Sequence, residues 1–175
     1  MGPTDNKNKE IKFKSPLFKT LVIGPLFLCI VAFLIPLGIF MATRHWVMAD
    51  MGTVRCAGLI PFTLGACVSL WCVKDFVVRG RGTPAPFDPP TRLVLLGPYR
   101  YVRNPMYVGL FLVLIGEAML YASLFVLLYS LFLVAAAHIF VVFYEEPTLR
   151  RKFGESYEQY LRSVPRWLPR MHSAN

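Results

Sequence analysis

The chain has 175 residues, of which 55% are hydrophobic, and its mean hydropathy is +0.50. That apolar share exceeds the roughly 45–50% of ordinary soluble domains and predicts an all-α membrane protein. The formal charge of +9 invites a nucleic-acid partner, but the places where the basic residues fall, traced below, exclude the need for one.

A hydrocarbon core of about 30 Å needs about 20 helical residues to cross it. In chain order, the first apolar run of that length is residues 20–43 and the second is 56–78, the latter ending in Lys74 and Asp75, placed to snorkel toward the headgroups. Cys29, Cys56, Cys67 and Cys72 lie in or beside these runs without the C-x-x-C spacing of a metal or redox site, and are expected to be small packing residues. No metal site is expected. The initial apolar run is too long for a cleavable signal and shows no small-residue cleavage site.

Residues 79–104 follow as a loop that begins within the stretch "VVRGRGTPAPFDPPTRLVLLGPYR", residues 77–100. Its prolines and glycines preclude a continuous helix, while Phe87, Leu93 to Leu96, Tyr99 and Tyr101 give it apolar surface. Such a loop is expected to pack on the cytoplasmic mouth of the bundle or on a ligand.

Residues 105–144 contain Glu117 and His138 as their only Asp, Glu, Lys, Arg or His side chains. Their length predicts a helical hairpin, 105–122 and 123–144, turning near Ala122 and Ser123. The expected total is therefore four transmembrane helices. Beyond them, Pro147 is a natural helix start, and Leu149, Phe153, Tyr157 and Tyr160 recur on one face, predicting an amphipathic cytoplasmic helix over 147–163.

Of the 19 lysines and arginines, all but Arg44 and Arg55 precede the first run, lie at the end of the second or between the second and third, or follow the fourth. The positive-inside rule then places both termini in the cytoplasm, with the basic groups against anionic headgroups. No organellar signal is evident, and a bacterial inner membrane is the expected location.

The stretch "GPYRYVRNPMYVG", residues 97–109, sets polar groups directly against the third run. Asn104 suits an N-cap and Pro105 the first helical position. A helix start beside Arg103 can receive a carboxylate or phosphate, and Tyr99, Tyr101 and Tyr107 can receive a ring or a cation. An ordinary interfacial belt of aromatic and basic residues accounts for the same composition. A hairpin also returns Glu145 and Glu146 to the side of Arg103. The two acids either pair with it or hold a ligand's ammonium group, so an amino-acid-like ligand would satisfy both ends.

Together with "EEPTLRRKFGESYEQYLRSVPRWLP" some 40 residues later, the stretch resembles the integral-membrane methyltransferases, the isoprenylcysteine carboxyl methyltransferase and phospholipid methyltransferase group. The resemblance covers residues 80–169. It implies S-adenosyl-L-methionine as cofactor, held by Tyr99, Asn104, Pro105, Met106, Tyr107 and Glu145, with Thr91, Arg92, Leu93 and Val94 of the loop added by ungapped extension. Asn104 stands where many relatives carry histidine, and an amide cannot titrate as a base near neutral pH. Val141 stands where a prenylcysteine-methylating enzyme would carry a basic residue.

The expected function is methyl transfer to a lipophilic or membrane-partitioning acceptor: a carboxylate, an amine or a thiol. Arg103 would hold an acceptor carboxylate, and Glu146 or His138 would take a proton from an amine or thiol. A core histidine hydrogen-bonded across helices is the alternative for His138, and a structural acid, paired with Arg44 or Arg55 or protonated, is the expectation for Glu117. The lipid bilayer is the expected partner, and nothing in the sequence fixes the oligomeric state. Two other readings are a silent scaffold or channel subunit keeping the fold, and a nicotinamide-dependent membrane reductase.

Overall fold

The computed structural model describes residues 26–46, 52–79 and 97–169, all of them helical, turn or irregular, with no strand among them. Helix α1 spans Leu26–Thr43, α2 Leu59–Arg79 after a 3₁₀ turn at Gly52–Gly58, and α3 Pro105–Leu120. Helix α4 spans Leu124–Phe153 and α5 Glu155–Ser163. Among the described residues, three helical stretches, Leu26–Thr43, Gly52–Asp75 and Leu124–Phe153, are long and apolar enough to cross a membrane. Helix α3 is apolar but has 16 residues, or about 24 Å at 1.5 Å per residue. Four full-length spans were expected, and three meet the length.

Helices α2 and α3 pack antiparallel along a seam of glycines. A Cβ on Gly65 would stand 2.5 Å from the Gly109 carbonyl oxygen, and one on Gly116 2.6 Å from the Phe62 nitrogen. Only hydrogen at these positions lets the two backbones approach, which is how helices gain van der Waals contact in lipid, where apolar burial drives nothing.

The α3–α4 hairpin turns through Tyr121, Ala122 and Ser123, with Ala122 at φ 47°. The Ser123 hydroxyl accepts from the Val126 N–H, and Ser130 Oγ donates to the carbonyls of Leu114 and Val126, joining the helices near their turn. Helix α1 leans on this closed end: Phe40 stacks on Tyr121, and the Tyr129 hydroxyl donates to the Val31 carbonyl.

Pro36 and Pro147 each sit on a continuous helical path because a widened turn precedes them. A proline lacks the N–H for its own i−4 carbonyl and crowds that carbonyl with its ring. π-turns at Ile30–Leu34 and Val141–Glu145 end two residues before Pro36 and Pro147 and take up the misfit. The expected helix start falls at this change of winding: α-helical turns resume at Glu146 with Pro147 in their first turn, on a helical path that runs on from α4 to Phe153. The expected continuous helix over 147–163 is also divided, because Gly154 adopts φ 54° and ψ −129°, a conformation open to glycine.

Cys72 is buried, whereas Cys29, Cys56 and Cys67 are exposed on the helix surfaces, so the packing expectation holds for Cys72 alone. Glu117 is 3% exposed, and its Oε2 has no hydrogen-bond partner.

Candidate functional site

The hairpin is closed at its Ser123 end, and the polar residues gather at the other. A 3₁₀ turn, Gly97–Arg100, enters this region, and the Val102 N–H donates back to the Pro98 carbonyl. Arg103 follows and Asn104 opens α3. Asn104 occupies the cap position with φ −121° and ψ 54°, but its side chain makes no cap hydrogen bond. The expected side-chain cap is replaced by a tertiary bond, with Nδ2 donating to the Arg166 carbonyl at 3.3 Å. Pro105 stands in the first helical turn as expected from its missing N–H. Met106 is half-buried beside it.

Across the open end, the Tyr107 hydroxyl donates to Glu145 Oε2 at 3.3 Å. Glu145 ends the π-turn that displaces it from regular α-helical register. Glu146, one residue on, has a different setting. Arg166 donates to it through Nε at 2.8 Å and Nη2 at 2.9 Å, and Arg103 Nη1 lies 3.3 Å away. The carboxylate in turn holds the Arg166 guanidinium above its ordinary pKa. Two adjacent acids thus divide: Glu146 is tied between two arginines, while Glu145 meets a tyrosine. Arg103 Nε is buried with no hydrogen-bond partner.

The segment 164–169 after α5 straps this arrangement together. The Arg103 N–H donates to the Pro165 carbonyl at 2.9 Å. The Trp167 indole packs edge-on to Tyr107 and donates from Nε1 to His138 Nδ1 at 3.1 Å. His138 is exposed on α4 rather than enclosed in a core.

Tyr99 joins a further group of residues that the sequence reading missed. Its carbonyl accepts from the Tyr160 hydroxyl at 2.8 Å, and its own hydroxyl shares a hydrogen bond with the Cys72 thiol. Burial, above all, raises the Tyr99 phenol well above its usual pKa, and the charge of Glu145 adds to the effect. Asp75, expected to snorkel, is instead 4% exposed and packs on Gly97, where a Cβ would collide with its Oδ2. Gly97, at φ +61°, is therefore required both by conformation and by space. An acid three residues after a buried cysteine at a helix end carried no periodic signal by which to find this group.

Of the residues expected at a cofactor, Tyr99, Asn104, Pro105, Met106, Tyr107 and Glu145 lie at this open end. Arg103 and Glu146 share it, and His138 reaches it through Trp167. Thr91, Arg92, Leu93 and Val94 lie outside the described residues.

The family model for phospholipid methyltransferases matches residues 53–156, which include α2, the hairpin and both acids. The chain belongs to this family. Among curated proteins, this family member is 30% identical over 131 residues to the nickel-cobalt-cadmium resistance protein NccN of Alcaligenes xylosoxydans xylosoxydans, a match covering 72% of the chain and 53% of that relative. It is 42% identical over 78 residues to the protein-S-isoprenylcysteine O-methyltransferase of Schizosaccharomyces pombe (strain 972 / ATCC 24843), covering 44% of the chain and 33% of the relative. The chain thus spans about half of the first relative and a third of the second. No solved structure matches it. Among the described residues, no group of three His, Cys, Asp or Glu side chains could hold a metal ion.

Proposed function

We propose that this protein transfers a methyl group from S-adenosyl-L-methionine to a lipophilic or membrane-partitioning acceptor, with the cofactor at the cytoplasmic mouth of the α3–α4 hairpin. The observation that carries the proposal is the meeting of the α3 start with Glu145 across the open end, in a member of the phospholipid methyltransferase family.

The donor set suits an amino-acid cation. Met106 and Tyr107 offer backbone N–H groups in the first helical turn, which have no intrahelical acceptor and which the Asn104 side chain does not occupy. They would take a carboxylate. Glu145, bridged to Tyr107, would take the ammonium group, and Tyr99 adds an aromatic wall. When bound, S-adenosyl-L-methionine supplies a methyl group on a positively charged sulfur, which the acceptor's lone pair attacks as the C–S bond breaks.

The protein's own task is to align the acceptor and exclude water. Arg103, with its buried Nε, would orient an anionic group on the acceptor. Glu146 serves as the keystone of the mouth rather than as a base, because its oxygens already receive two guanidiniums. His138 would take a proton from an amine or thiol only after Trp167 releases Nδ1. At position 141, Val141 is 1% exposed and supplies no charge for a prenylcysteine carboxylate, which favours another acceptor.

In this reading α3 makes a fourth, shorter crossing held upright by its glycine seam with α2. Both termini face the cytoplasm of a bacterial cell, with the protein in the inner membrane. The test is transfer of tritiated methyl from the labelled cofactor into organic-extractable product, using purified protein in nanodiscs with a panel of lipid amines, fatty acids and thiols. Label incorporation that vanishes in Glu145→Gln supports the proposal. No incorporation with any acceptor class, by protein that remains folded, favours the scaffold reading.

A further inference from the structure

The hairpin helices touch near their turn and carry a cluster of rings at their open ends. Trp167 lies between them, its ring 5.9 Å from Phe111 and 6.3 Å from Tyr107 on α3, and 6.0 Å from His138 on α4. It is not a helix residue but a side chain let down from the strap, which Arg166 fastens at the mouth through Glu146. The outer face of α4 here is apolar and exposed at Ile139 and Phe143, so this part of the seam opens onto lipid. Trp167 therefore stands between the bilayer and Tyr107, whose hydroxyl is on Glu145.

We propose that Trp167 is the specificity-determining gate of the acceptor's lateral path, its indole holding the place between Phe111 and His138 that an acceptor's apolar chain takes when it displaces the ring. The inference rests on the methyltransferase reading for what the chain delivers, although the gate itself is a property of the seam. Ring contacts and one neutral hydrogen bond to His138 Nδ1 hold the indole. These are individually weak interactions, which a chain burying several methylenes can offset. An acceptor needing this displacement has a flexible apolar chain and a small reacting end. His138 acts here as a positioning residue, through the ring it bolts.

The experiment uses full-length protein carrying Trp46→Phe and Trp71→Phe, so that Trp167 is the remaining tryptophan. It is reconstituted in phosphatidylcholine vesicles and titrated with dibromostearate, an apolar chain that quenches indole on contact. Quenching is expected to saturate. His138→Phe, which keeps a ring but loses the acceptor nitrogen, lowers the half-quenching concentration about fivefold, the worth of one neutral hydrogen bond. His138→Gln, whose amide oxygen can accept the same N–H, restores the original value. Quenching that does not saturate, or that is identical in all three proteins, overturns the gate. If the double variant does not purify, the difference between wild type and Trp167→Phe gives the same curve. S-adenosylhomocysteine titrated into the same samples reads the donor site separately. Its failure to bind overturns the methyltransferase reading while the quenching still decides the gate.

Discussion

Replacing Glu146 with alanine should release the strap. Glu146 is 6% exposed and accepts from Arg166 at 2.8 and 2.9 Å, with Arg103 at 3.3 Å. Removing one member of a buried ion pair leaves its partners charged and dehydrated, at a cost of about 3–5 kcal/mol. The Arg166 side chain is 30% exposed and can regain water, whereas that of Arg103 is 11% exposed and cannot without moving. The lower end, about 3 kcal/mol, is therefore the expected loss, and at 1.4 kcal/mol per tenfold it corresponds to about a hundredfold. Hydrogen exchange followed by mass spectrometry reads it at the Arg103 amide, which donates to the Pro165 carbonyl. Peptides covering residues 99–104 should exchange about a hundredfold faster in the variant, while the hairpin turn at 121–123 stays as protected as before. Exchange at residues 99–104 matching wild type would refute the claim that Glu146 fastens the mouth.

Other outcomes follow from the same contacts. Tyr107→Phe removes one neutral donor to Glu145 and should weaken S-adenosylhomocysteine about fivefold, while Glu145→Gln should cost more than about tenfold, both by calorimetry. Gly65→Leu drives a side chain into the Gly109 carbonyl and should lower the melting temperature in detergent by an amount matching at least about 1–3 kcal/mol, whereas Gly38→Ala, with nothing within 4 Å, should leave it level or raised. Burial, then the charge of Glu146, pushes the Tyr157 phenol up to about 12. Since an unfolded tyrosine ionises near 10, the native state is favoured fully below that pH and loses this advantage between about 10 and 12. Tyr157→Phe should accordingly flatten the alkaline fall in thermal stability over that window.

Three of the four expected spans were legible because soluble folds seldom contain apolar runs of membrane length, and the hairpin because residues 105–144 are too long for one helix of ordinary span length. The open-end site was legible in outline, since a hairpin must return Glu145 and Glu146 to the side on which α3 begins. Their division of labour was not. Neighbouring residues on a helix point in different directions, and which of them meets Arg166 depends on a π-turn that adds a residue just before Pro147. Pro147 was legible as the first turn of a renewed α-helix, but nothing local showed that a π-turn would join that helix to α4 without a break. The glycine seam was present as Gly58, Gly65, Gly109 and Gly116, but only the pairing of α2 with α3 turns those spacings into contact. Trp167 lies in a strap without periodicity, so nothing local tied it to His138, 29 residues earlier.

The central claim is that the open end of the hairpin binds the methyl donor through Glu145. Calorimetric titration of S-adenosyl-L-methionine and S-adenosylhomocysteine into nanodisc-reconstituted protein, wild type beside Glu145→Gln and Tyr107→Ala, tests it most directly. The account predicts saturable binding of both compounds to wild type and weaker binding in each variant. Absence of binding by folded wild-type protein, or binding that neither substitution alters, would contradict it.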